Sequence, residues 1–165
     1  TTDTIYQGFY HPYATFKGFL HSHSFTGNPL AARAALASLE LFTLDPQLQR
    51  QQQINHVLTQ ALAPFSAHPH IANIRQTGTI AAFDLVQDKA TKTPFDWRER
   101  RGLQVFQSAL DKGVLLRPIG NTVYFMPPYV ISDDELQWVV KVAGEAVDEA
   151  TSAPAKGSDV GVSLP

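Results

Sequence analysis

Apolar and polar positions change period several times along these 165 residues, and each change marks an element. From Leu30 to Phe42 the apolar positions follow a helical repeat, with Leu30, Ala34, Ala37 and Leu41 on one face. Alanine and leucine also fill the other faces, which predicts a helix buried nearly all round. A chain this short offers few neighbours for it, so further polypeptide or a partner is expected to cover it. Asp45-Pro46 reads as an N-cap followed by proline at the first helical position. The helix it starts is expected to run to about Leu62, with Ile54, Leu58, Ala61, Leu62 and Phe65 inward. Pro64 and Pro69 then stop it.

Alternation takes over next. Ile71–Gln76 and Thr79–Val86 read as strands joined at Gly78, and Lys89–Pro94 as a polar loop. A helix is expected over Trp97–Lys112, closed by Gly113 as a left-handed cap. Val114–Arg117 and Thr122–Met126 read as two more strands. Ser132-Asp133-Asp134-Glu135 spells a capping box, and Leu136, Val139, Val140, Ala143 and Val147 line one face of the helix beyond it. Residues 1–28 show only a short helix near Asp3–Phe9 followed by loop, and 151–165 read as a disordered tail. The order from residue 45 predicts an α+β domain, a small and mostly antiparallel sheet with helices on one side.

Composition narrows the function. A net charge of -2 and the absence of cysteine argue against nucleic-acid binding, disulfides and thiolate chemistry. No apolar run approaches a membrane span, so a soluble, cytoplasmic protein is expected. The opening TTDTIYQGFY, without methionine or leader, reads like the middle of something, either a processed chain or part of a longer polypeptide.

Two stretches carry candidate chemistry. His21-Ser22-His23-Ser24-Phe25-Thr26-Gly27-Asn28 gathers small hydrogen-bonding groups before a helix, an arrangement that suits an anion. Two histidines are too few for a metal site, and none is expected. Thr26 and Asn28 alternatively serve only as helix caps. Arg117 sits among Leu115, Leu116 and Pro118, where a guanidinium is costly without an anionic partner. A substrate carboxylate is one such partner; an internal salt bridge, or water at a strand end, is another. The WRERR run at 97–101 reads as a solvated helix start, His56, His68 and His70 as surface residues, and Asp84 as a strand-edge carboxylate.

The run Ser24–Ala31, SFTGNPLA, resembles the class III family of pyridoxal-phosphate-dependent aminotransferases. GVLLRP at 113–118, continuing to YFMPPY at 124–129, is similar to that family's biotin-pathway branch. The resemblance covers about residues 1–150 and implies the small C-terminal domain of a fold-type I aminotransferase with the end of the large domain before it. Residues 1–29 would hold the end of the large domain and an interface phosphate loop, 30–44 a linking helix, and 45–150 the small domain. The implied reaction makes 7,8-diaminononanoate from 8-amino-7-oxononanoate, with S-adenosylmethionine as amino donor and pyridoxal 5'-phosphate as cofactor. By the same resemblance, His23 and Ser24 would bind the cofactor phosphate of the other subunit of a homodimer. Ser22, which stands where relatives often carry glycine, would lie against the substrate. Arg117 would hold the distal carboxylate of the acceptor in an apolar slot, and Tyr124 would line the same pocket. None of Lys17, Lys89, Lys92, Lys112, Lys141 and Lys156 lies in the family's lysine motif. The segment is therefore expected to be inactive without an N-terminal part. Two other readings remain at this point: a class III aminotransferase for another ω-amino or keto substrate, and a non-catalytic α+β binding or dimerisation module.

Overall fold

A computed structural model describes residues 1–20, 23–44 and 47–152. They divide into two units, one ending at Leu44 and the other beginning at α3. In the first unit, α1 (Asp3–Phe9) is capped by Thr2, whose hydroxyl accepts from the Ile5 amide at 3.4 Å, and α2 spans Pro29–Leu44. Every side chain described in this unit is exposed, Leu30 at 80% and Leu39 at 64%. The all-round burial expected of α2 is therefore not met within the chain. Among the described side chains of residues 1–44 none is buried against it.

The second unit is the α+β domain. α3 (Gln47–Leu62) leads through a 3-10 turn, Ala63–Ala67, to β1 (Ile71–Thr77) and β2 (Ile80–Asp88). The expected cap at Asp45-Pro46 lies outside the described residues. β1 and β2 form an antiparallel hairpin whose two-residue turn, Gly78-Thr79, sets Gly78 at φ 56. Asn55 of α3 donates to the Gly78 carbonyl at 2.9 Å, and Gln76 donates back to the Asn55 carbonyl. β2 also pairs antiparallel with β3 (Thr93–Pro94) and β4 (Thr122–Phe125). The loop expected at 89–94 thus contributes a short strand.

Alternation along β2 puts Ala81, Phe83 and Leu85 into the core, where Phe83 and Leu85 are fully buried. Ile54 and Leu58 of α3 meet them there. So do Val105 and Ala109 of α4 (Arg101–Asp111) and Leu136, Val140, Ala143 and Val147 of α5 (Asp133–Ser152). The Ser132 hydroxyl accepts from the Glu135 amide at 3.2 Å, and the Glu135 carboxylate accepts from the Ser132 amide at 2.8 Å, completing the box. α5 runs through Ser152, past the expected start of the tail at 151.

Asp84 sits on the opposite face of this central strand, not at a sheet edge. It accepts from Arg75 and Asn73 of β1, both at 3.0 Å, and from Thr122 of β4 at 2.9 Å. Partial burial raises its pKa, but these donors and the Arg75 charge outweigh that and hold it below the ordinary 3.8. The stabilisation is accordingly present above 3.8 and disappears as pH falls through the depressed folded value. Asp84→Asn should lower the urea midpoint at pH 6, and the gap from wild type should close as pH drops below the ordinary carboxyl range. A gap independent of pH would assign the effect to packing.

Candidate functional site

The helix expected over 97–112 is broken at its start, and the break shapes a groove. Trp97–Glu99 is a 3-10 turn capped by Asp96, whose carboxylate accepts from the Arg98 amide at 2.9 Å. Arg100 then takes a left-handed conformation, φ 50 and ψ 40, before α4 begins. Arg101 is 5% exposed, contrary to a solvated charge run. It pairs with Glu99 at 2.7 Å, donates to the Ala150 carbonyl at the end of α5, and lies over the Phe95 ring at 5.0 Å. Burial of a guanidinium is tolerated here because each of these partners is in place.

Gly102 lets the turn after Arg117 close against α4. A Cβ there would stand 2.0 Å from the Gly120 carbonyl oxygen and 3.1 Å from Pro118 Cβ. Between these elements lies an open groove of about 470 Å³ lined by Trp97, Arg100, Leu103, Phe106, Leu116 and Arg117. Asn121, on the same wall, is anchored by a 2.7 Å bond to the Phe95 carbonyl.

Arg117 is exposed at this groove and has no ion pair or side-chain hydrogen bond among the described residues. The internal salt bridge is excluded within that set, and within this unit the guanidinium reaches the surface. Val114 and Leu116 turn inward, which leaves Leu115 and Arg117 outward. The segment keeps the alternation of a strand but pairs with no other strand among the described residues. Before it, the end of α4 forms two closing bonds, Gly113 amide to Leu110 carbonyl and Val114 amide to Ala109 carbonyl, both 2.9 Å. Gly113 has φ 84, as its capping role requires.

Tyr124 is half-buried and lines a second cleft of about 260 Å³ with Leu115, Leu116, Met126 and Trp138. Within this unit Arg117 and Tyr124 thus face separate clefts that share Leu116.

The turn ahead of α2 is built by its own residues. The Thr26 hydroxyl accepts from the His23 amide at 3.1 Å, and Asn28 caps α2 by accepting from the Leu30 amide at 2.9 Å. The His23 ring stacks on Phe25 at 5.0 Å. Thr26 therefore closes the turn and Asn28 caps the helix. The Ser24 hydroxyl has no partner among the described residues. Ser22 and His21 lie outside the described residues.

Sequence reasoning missed Arg100 and Arg101, which local composition marks only as charged. It also took His68 and His70 for surface residues. His68 bonds Asp148 of α5 at 3.0 Å, and His70 bonds the Val86 carbonyl at 3.0 Å, both half-buried. Among the described residues no helix is long and apolar enough to cross a membrane.

Comparison with known proteins defines the class: residues 2–147 match the aminotransferase class-III family, and the chain belongs to it. Several relatives are adenosylmethionine-8-amino-7-oxononanoate aminotransferases. That of Geobacter sulfurreducens is 40% identical over 91% of this chain, and that of Anoxybacillus flavithermus 36% over 92%. The crystal structure of the Methanocaldococcus jannaschii enzyme superposes with a TM-score of 0.78 at 33% identity, over 90% of this chain and 34% of that one. The chain spans about a third of the length of these relatives, and it matches their C-terminal part. A PMP-bound aminotransferase from Vibrio fluvialis, 22% identical with a TM-score of 0.74, shares the fold.

Proposed function

We propose that this segment is the C-terminal part of a homodimeric, cytoplasmic, pyridoxal-phosphate-dependent aminotransferase. The enzyme converts 8-amino-7-oxononanoate to 7,8-diaminononanoate, with S-adenosylmethionine as amino donor. The observation that carries the reading is Arg117, a guanidinium with no partner among the described residues, at the mouth of a groove walled by Leu103, Phe106 and Leu116. A cation beside apolar walls suits an aliphatic chain that ends in a carboxylate. Relatives that carry this acceptor's name match the chain at up to 40% identity.

The residues present fit a cofactor phosphate better than they fit the whole cofactor. The Ser24 hydroxyl, free among the described residues, and His23 hold the phosphate of the partner subunit's cofactor, ahead of the N-terminus of α2. When bound, pyridoxal phosphate supplies the electron sink for amino transfer. Its lysine belongs to another part of the enzyme. Lys89 is engaged with the Ser66 and His68 carbonyls, and Lys112 with Glu149 and Ser108. Arg117 holds the acceptor's distal carboxylate, Tyr124 lines the cleft beside it, and Ser22 is a substrate contact.

In a full-length enzyme carrying this segment, Arg117→Ala should raise KM for 8-amino-7-oxononanoate roughly 100-fold, about 2.7 kcal/mol. The KM for the amino donor should change little. An unaltered acceptor KM would point to a class III enzyme with a different amino acceptor.

A further inference from the structure

The arginines of this chain sort into two groups. Arg33 pairs with Glu40 at 3.0 Å, Arg50 with Asp133 at 2.6 Å and Arg75 with Asp84 at 3.0 Å. Arg98 pairs with Asp96 at 3.2 Å and Arg101 with Glu99 at 2.7 Å. The remaining two, Arg100 and Arg117, make no ion pair and no side-chain hydrogen bond among the described residues, and both line the same groove. Both guanidiniums are exposed on this groove, so an anion entering it meets two cations that no carboxylate of the described residues neutralises.

The backbone at Arg100 supports the same conclusion. Its left-handed conformation costs a residue with a Cβ roughly 1–2 kcal/mol. It persists because both flanks are fixed: the Arg100 amide donates to the Trp97 carbonyl at 3.1 Å, and the next residue is the buried, multiply bonded Arg101. Strain held by its surroundings at a cleft is a common mark of a binding position. Trp97 on one side of Arg100, with Leu103 and Phe106 beyond it on α4, provides apolar wall for an aliphatic chain.

We propose that Arg100 is a second carboxylate-binding residue, acting with Arg117 on the terminal carboxylate of the amino acceptor. Two forks around one carboxylate select for a long-chain acid over its neutral analogues. The proposal rests on the reading of the groove given above, and its test separates the two.

The test compares the acid with its methyl ester in a full-length enzyme bearing Arg100→Gln, Arg100→Lys, Arg100→Gly or Arg117→Gln. Arg100→Gln should raise KM for the acid about tenfold, the loss of one charge-assisted hydrogen bond, with kcat and the ester's KM nearly unchanged. Arg100→Lys should recover most of the affinity. Arg100→Gly, which accepts a positive φ without strain, should lose as much as Arg100→Gln and so rules out a backbone effect. If Arg117→Gln discriminates acid from ester while Arg100→Gln changes both equally or neither, Arg100 does not meet the acceptor's carboxylate and the proposal is overturned. If neither variant discriminates, the groove is not the carboxylate site, and the assignment of Arg117 fails with it.

Discussion

Gly102→Ala should cost about 3 kcal/mol of stability, the upper end for overpacking, and open the Arg117 groove, the reverse of what helix propensity alone predicts. In a free helix alanine gains about 0.5–1 kcal/mol over glycine. Here the new methyl would lie 2.0 Å from the Gly120 carbonyl oxygen, well inside van der Waals contact. That atom is backbone, so no side-chain rotation relieves the clash. Either the start of α4 or the turn at 118–120 has to move, and Arg117 moves with the turn. Thermal unfolding should show a fall in Tm, and acceptor KM in the full-length enzyme should rise by at least as much as in Arg117→Ala. A variant as stable as wild type would mean that the two segments separate readily.

The second large effect belongs to the core beneath the sheet. Phe83→Ala should destabilise the domain by about 3–5 kcal/mol. Phe83 is fully buried at the centre of β2, with the Phe65 ring edge-on at 5.3 Å and Phe125 of β4 at 6.2 Å. Its truncation leaves a void bounded by the strand on either side and by α3 and α5 above, none of which can collapse without breaking the β2 pairing. A total stability of 5–15 kcal/mol is typical, so such a loss removes much of it. Denaturant unfolding gives the number. Phe83→Leu, which keeps most of the volume, should lose less than half as much.

The elements that sequence determined are those whose signals are complete within a few residues. Ser132 and Glu135 close the start of α5 by bonding each other, so their spacing alone specifies the turn. Gly78 sits where a two-residue hairpin needs a positive φ, and Ala81, Phe83 and Leu85 alternate because a strand has period two. Arg117 stood out as a cation between leucines and proline, but its sequence context left open what it meets, and within this unit it is exposed. The runs at 24–31 and 113–118 placed the chain in its family by residue identity alone.

Tertiary structure decided whatever depends on partners distant in sequence. The WRERR run reads as five exposed residues. Arg101 is buried because a carbonyl 49 residues further on and the Phe95 ring come to meet it. Val114–Arg117 has the alternation of a strand, with Val114 and Leu116 buried, yet it pairs with no strand among the described residues, because local alternation does not choose a partner. Arg100 looked no different from its neighbours. Only the folded chain shows that it and Arg117, 17 residues later, are the two arginines without a carboxylate among the described residues and that they share one groove. A sequence specifies local bonds through spacing, because the partners are a turn apart. Which charges find a mate is settled only when distant segments pack, because the cost of burying a charge depends on everything that surrounds it.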